Sequence, residues 1–374
     1  MRTTTWVLAA LVVASAGALA ADTSPDGAGR TASHAVESSS RWTLRYTGHG
    51  YDRDAPLWLV PAVGGGASLF VRKGPAPGWG MLRWDGNSWK RARLPAQVAK
   101  SWWLEVGGSP SGETIWAAVG VSDKYGDQTE HLWRFSGGRW THRLSRNAQW
   151  TGVIDIAVDS RDNAWFVTEF DPDGAPSDVL RWSGNAWHHH RPPADFDLIK
   201  VAAAGPEDVW VLSRGERVRM QHWNGVSWKD VRYPCASQPC RGRAYLQQLA
   251  LAVRPDGHAW AVGPHWADGG SPVVLHWDRT RWEQVDMDVV RTGLTAVRVD
   301  PVGGLWIAAA PASGPPYVLN LRDGRWTRST LREGGRITDI APVPGTTRLW
   351  VQTRRQDPTG PPYGKETALV YELS

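Results

Sequence analysis

Seven times along its 374 residues the chain repeats one phrase: an aromatic residue between small or apolar neighbours, set shortly after a glycine-containing turn. The copies are Leu69-Phe70-Val71, Ile115-Trp116-Ala117, Ala164-Trp165-Phe166, Val209-Trp210-Val211, Ala259-Trp260-Ala261, Leu305-Trp306-Ile307 and Leu349-Trp350-Val351. Successive aromatics lie 46, 49, 45, 50, 46 and 44 residues apart. A period in the forties is the length of a four-stranded propeller blade, and so short a unit buries its apolar face only by stacking on a neighbour.

A second phrase comes after the first, with an apolar strand, a tight polar turn and another Trp: Leu82–Trp89, Leu132–Trp140, Leu180–Trp187, His222–Trp228, His276–Trp282 and Leu319–Trp326. Its Asp-Gly, Asn-Gly and Ser-Gly steps tolerate positive φ and mark a hairpin. Ahead of the first phrase runs another apolar or alternating stretch, such as Val153–Val158 or Leu294–Val299. Each repeat therefore holds four strands, a to d from the inside outward. The seventh copy stops after strand c at Ser374, whereas Arg41–Tyr46 carries the strand-d pattern with no strand c before it. Pairing residues of about 41–47 with about 367–374 closes the ring and leaves no open edge at the seam. The expected fold is an all-β, seven-bladed β-propeller of four-stranded blades over residues 41–374.

Composition limits what such a ring does. There are 42 Lys and Arg against 37 Asp and Glu, a net charge of +5, with the basic residues scattered. That excludes the clustered basic face of a nucleic-acid reader. Met1-Arg2, the apolar run Trp6–Ala16 and the small residues Ala18-Leu19-Ala20 predict a signal peptide over 1–20, followed by a flexible Ser/Gly-rich tether over 21–40. The expected location is outside the cytoplasm, secreted or associated with the cell envelope, with no transmembrane segment after cleavage. Cys235 and Cys240, the two cysteines, are expected to close a loop as a disulfide in that setting. A monomer is expected.

The alternation of small-Trp-small strands with aromatic-Asp/Asn-Gly-x-x-Trp hairpins resembles Trp-rich secreted propellers of actinobacterial type over residues 41–374. It is also similar to tectonin-like and WD-type propeller repeats, and the tectonin likeness implies sugar binding, although these repeats are longer. The hairpins resemble sialidase Asp-boxes, which carry one more residue between Asp and Gly. The stretch Ala164–Glu169 resembles streptogramin-lyase propellers in one blade.

Because 25 Trp stand against 8 Tyr and 5 Phe and most recur at fixed positions, the repeated rings are assigned to packing between blades. Function is sought where the repeat breaks. The long connections, b to c and d to a, fall on one face, and loops held by a rigid scaffold carry binding groups. That face is expected to present Trp79, Tyr125, Trp150, Phe170, His265, Trp266, Tyr317 and Tyr363, with Arg214 and Arg354 among the charged residues beside them. Glu105, Asp155, Lys200 and Asp339 share one aligned position on strand a, with Ala250 and Ala296 there in blades five and six. These four are candidates to converge on the channel as an acid/base set, a cation site or a polar wall. Asp171 and Asp173 begin a calcium-loop pattern that lacks its closing Glu, so no cofactor is expected beyond a calcium ion there. The expected function is a binding or interaction module recognising a glycan or cell-envelope component on the long-loop face. The alternatives are a lyase or glycoside hydrolase working at the channel mouth, with no catalytic residue assigned, and a scaffold for a protein partner.

Overall fold

A computed structural model of the chain describes residues 35–51, 58–72, 78–122, 128–147, 152–159, 163–168, 177–192, 197–214, 219–231, 250–264, 272–285, 292–299, 304–311, 314–356 and 366–374. They form seven sheets, each built on four antiparallel strands that are consecutive in sequence except at the seam. The innermost strands are Trp58–Pro61, Trp103–Gly108, Val153–Val158, Asp197–Gly205, Ala250–Val253, Thr292–Val299 and Arg336–Pro342. Each touches the next, and the seventh touches the first, so the blades close into a propeller around a channel.

The seam is the one expected, with longer strands. Strand d of blade seven is Trp42–Tyr51, antiparallel to Glu366–Leu373 with Trp42 opposite Leu373. Beyond that register the Arg41 N–H donates to the Ser374 carbonyl at 2.8 Å, and the Ser374 N–H donates to the Arg41 carbonyl at 3.1 Å. A charged clasp adds to the seam, because the buried Glu372 carboxylate accepts from Arg45 at 2.9 Å and from Arg348 at 2.7 Å. One pairing departs from the expected layout. Val36–Glu37, inside the stretch expected to be a free tether, pairs in parallel with strand d of blade six, Arg325–Thr330, as a fifth strand of that sheet.

The repeated aromatics explain how the blades adhere. Each strand-b ring leaves its own sheet and packs into the next blade: Trp116 lies 5.6 Å from Trp182 and 5.7 Å from Trp187, and Trp210 lies 5.1 Å from Trp277 and 5.4 Å from Trp282. At the seam Trp350 of blade seven meets Trp84 and Trp89 of blade one in the same way. Large rings suit the wedge between two twisted sheets because they bury much area with few rotatable bonds. Two of the strand-d indole N–H groups reach back across the joint. Trp89 donates to the Arg45 carbonyl at 2.9 Å and Trp187 to the Arg143 carbonyl at 3.3 Å.

The hairpins use the turn chemistry their sequence implies. The Asp85 carboxylate accepts from the N–H groups of Asn87 and Ser88, leaving Gly86 at a φ of 100°. On the hairpin face the a–b and c–d strand bounds leave gaps of two to six residues, whereas the b–c and d–a gaps run from four to eighteen. The scaffold therefore carries its chain length on one side. Among the described residues no helix is long and apolar enough to cross a membrane.

Candidate functional site

Strand register confirms that the four charged residues are equivalent. Glu105 stands opposite Ala118, Asp155 opposite Val167, Lys200 opposite Leu212 and Asp339 opposite Gln352, each partner lying two residues after its blade's strand-b Trp. Three of the strands shift register immediately before the position, between Val153 and Asp155, Leu198 and Lys200, and Ile337 and Asp339. A bulge inserts one residue, twists the strand and re-aims the side chains beyond it. Asp155, Lys200 and Asp339 therefore each follow a break in simple alternation near the start of strand a.

The groups pair between neighbouring blades. Lys200 Nζ lies 3.5 Å from Asp155 Oδ1, while Asp155 Oδ2 accepts the Val201 N–H at 2.7 Å, tying blade three to blade four. Asp339 Oδ1 accepts from Arg298 at 2.8 Å and from the Ile340 N–H at 2.8 Å. Arg298 joins the set although its column is filled by Ala296. It lies two residues further along the same strand, and its long side chain reaches across to blade seven. Glu105 is 8% exposed and receives no hydrogen bond among the described residues. Burial first, then the charges of Asp155 and Asp339, push its carboxyl well above the usual range, against the pull of Lys200. The Lys200 ammonium is held above its ordinary value, chiefly by Asp155, with Glu105 adding to the effect and burial and Arg298 opposing it.

One further residue near the start of a strand a is not singled out by the repeat pattern. Trp102 precedes strand a of blade two, three residues before Glu105, and at 46% exposure is the most open aromatic side chain among the described residues. Its N–H donates to the Gly120 carbonyl at 3.3 Å, and its indole lies so close to Gly120 that an added Cβ there would meet the ring at 3.1 Å. The ring rests on the Gly120 backbone and is about half exposed. Its signal in the sequence is a second Trp set directly before the first residue of the strand, Trp103.

The aromatics expected on the long-loop face fare differently where the structure describes them. Trp79 and Tyr317 each open a strand c and are buried at 2% and 5% exposure, so neither offers a ring to a ligand. Trp79 packs among Phe70, Val98 and Leu104, and Tyr317 packs in the joint of blades five and six with the Arg328 guanidinium 3.9 Å over its ring. Arg354 is largely buried beside Glu366, 3.5 Å away, inside blade seven. Arg214 ends strand b of blade four, and its side chain is outside the described set. Tyr125, Trp150, Phe170, His265, Trp266, Tyr363, the Asp171 and Asp173 pair and both cysteines, Cys235 and Cys240, lie outside the described residues. Among those described, no group of three or more His, Cys, Asp or Glu side chains is arranged to hold a metal ion.

No protein-family model matches the chain, and no curated protein sequence matches it. Its fold is similar to that of YCF48 bound to D1 peptide, at 12% identity and a TM-score of 0.56, covering 91% of this chain and 97% of that one. It is similar to virginiamycin B lyase from Staphylococcus aureus at 11% identity and a TM-score of 0.55, covering 88% and 99%. The β-propeller domain of the Trilobed protease from Pyrococcus furiosus is similar at 9% identity and a TM-score of 0.55, covering 79% and 91%. At such identities the likeness is one of fold, and it embraces proteins that bind and proteins that catalyse.

Proposed function

We propose that the chain is an exported binding module that takes its ligand at the channel mouth on the long-connection face, with a glycan or other cell-envelope component as the ligand class. The carrying observation is Trp102, a half-exposed ring seated on Gly120 just before strand a of blade two. An exposed indole beside hydrogen-bonding side chains suits a sugar, whose axial C–H face stacks while its hydroxyls reach the polar groups. Export rests on the leader over residues 1–20, and the Cys235–Cys240 disulfide belongs to the same proposal. Thermal melts of the domain against wall glycans and soluble oligosaccharides test it, because a ligand selective for the folded state raises the transition with concentration. A saturable rise that Trp102→Ala abolishes supports the proposal. A rise unchanged in that variant moves the site elsewhere.

One observation favours a second reading, an enzyme of lyase or glycoside-hydrolase type at the same mouth. A carboxyl pushed up by burial, as at Glu105, is the form a general acid takes. Turnover by the native chain that disappears in Glu105→Gln would establish it.

A further inference from the structure

The outer half of blade two carries a side-chain cluster that the channel mouth does not use. Its strand c, Gln128–Ser136, and strand d, Arg139–Asn147, pair with Ser145 opposite His131 and His142 opposite Trp133. In an unbroken strand His142 and Ser145, three residues apart, would stand on opposite faces. The register shifts between His142 and Leu144, however, and the extra residue returns both side chains to the solvent side, where each is exposed. His131 joins them from strand c. Its Nδ1 lies 2.8 Å from Ser145 Oγ, and His142 Nε2 lies 3.0 Å from the same oxygen, with the two rings 5.5 Å apart and inclined at 60°. Two imidazole nitrogens from different strands thus aim at one point.

A serine hydroxyl has one proton, so Ser145 donates to one imidazole and accepts an N–H from the other. If an ion takes the place of Oγ, each nitrogen closes in by less than about 1 Å to reach an imidazole–metal bond of about 2.0–2.1 Å, a distance that outward side chains cover by small torsions. Nearby cations are engaged elsewhere: Arg146 pairs with Glu130 at 2.5 Å, and the Arg143 guanidinium lies 5.0 Å over the Trp182 ring. Burial first, then His142, hold His131 below its ordinary value, which leaves its lone pair free of competing protons at neutral pH. His258 and His276 lack this aim, because their rings lie 5.0 Å apart and within 9° of parallel, with Nδ1 and Nε2 hydrogen-bonded to each other at 2.9 Å.

Two imidazoles and a hydroxyl are too few donors for a closed structural site, in keeping with the lack of any three-residue His, Cys, Asp or Glu set among the described residues. They suit an ion that arrives with its other positions filled. Imidazole favours borderline divalent ions, and copper(II) leads that series and takes two nitrogens at adjacent corners of a square plane. We propose that the outward face of blade two binds copper(II) carried by a small amino-carboxylate chelator, with His131 Nδ1 and His142 Nε2 as ligands and Ser145 Oγ turned aside to hydrogen-bond the chelator. Whichever imidazole carries its proton on the near nitrogen shifts it to the far one on binding. The site is independent of the channel-mouth reading and leaves it untouched.

The test is an electron paramagnetic resonance titration of the full chain with copper(II) iminodiacetate at neutral pH. The expected result is a saturable complex whose hyperfine pattern carries two imidazole nitrogens. His131→Ala and His142→Ala should each weaken it by about tenfold or more, because the second imidazole no longer binds from within the same molecule. Ser145→Ala removes the competing hydroxyl and should keep or tighten the complex, and His276→Gln should leave it unchanged. A two-nitrogen complex that survives either His131→Ala or His142→Ala overturns the proposal. So does a complex with one imidazole, loss of the complex in Ser145→Ala, or no binding by the native chain. The substituted side chains stand on the outward face, so folding is expected to survive. A melt of each variant checks this, and His131→Gln and His142→Gln replace any alanine variant that melts early.

Discussion

At the scale of single residues, position in the repeat separates structural rings from available ones. Trp210 is fully buried and meets two Trp of the next blade, so Trp210→Ala should cost about 3–5 kcal/mol in urea unfolding. Trp102→Ala opens no cavity and should stay within about 0.5 kcal/mol of the native chain. Equal losses would remove the distinction. The repeated Trp were legible because their period ties them to one place in every blade. Trp79 and Tyr317 were not, because a ring outside the repeat has no column to report that its strand start is covered by a neighbour. Arg298 was hidden for a related reason: its column holds Ala296, and only a long side chain brings the guanidinium to Asp339. Glu105 gives a second prediction, with a definite sign. Its carboxyl is raised above the ordinary 4.5, so between that value and its folded value the unfolded chain is ionised while the folded chain keeps the proton. Stability contributed by this group is present below 4.5 and is lost as pH rises through the window. Glu105→Gln should therefore melt higher than the native chain at neutral pH and equal it in acid; a lower melt at neutral pH would show that the ionised carboxylate is stabilising.

At the scale of elements, the seam is where sequence order and spatial order part, and it is held by more than a ladder. Glu372 on strand c pairs with Arg45 on strand d and with Arg348 in the a–b turn. Both Arg side chains are about a third exposed, so Glu372→Ala leaves them able to reach water and should cost about 1–3 kcal/mol. Removing residues through Tyr51 should cost far more, because it strips strand d from blade seven and exposes the edge of Glu366–Leu373. Loss of a cooperative urea transition is the expected outcome, whereas removal through Ser38 takes only the parallel two-residue strand and should keep it. Seam closure was legible because a lone strand-d phrase at one end matched a missing one at the other. The added strand at Val36–Glu37 was not, since a two-residue pairing carries no periodic pattern. The bulges before Asp155, Lys200 and Asp339 also left no mark, because inserting one residue preserves the local composition and changes only where the next side chain points.

At the scale of the whole molecule, seven blades bring carboxyls and half-buried imidazoles from distant parts of the chain into the fold, and the two act on stability in opposite directions. His131, His190 and His276 are each held below the ordinary 6.5, with burial the largest cause, followed by His142, Arg181 and His258 respectively. His190 sits between Trp165 at 5.1 Å and Trp223 at 4.7 Å, and His276 lies 4.8 Å from Trp260 with its Nε2 2.9 Å from His258 Nδ1. Because the neutral forms are favoured in the fold, their contribution is complete above 6.5 and is lost as pH falls through the folded values, where the unfolded chain binds more protons. Glu105 and Glu130, both raised mainly by burial, oppose this by gaining stability over the same descent. Asp85 and Asp278 are held low, mainly by hydrogen bonds from Lys90 and Thr280, so their contribution is complete above 3.8 and is lost only in stronger acid. The melting temperature between neutrality and mild acid is therefore a difference of two slopes that variants can separate. His276→Gln should flatten the fall in melting temperature below 6.5, and Glu105→Gln should steepen it by removing the compensating gain. Melts across that range with both variants decide the matter: parallel curves for all three proteins would mean that neither group titrates differently in the folded and unfolded chains.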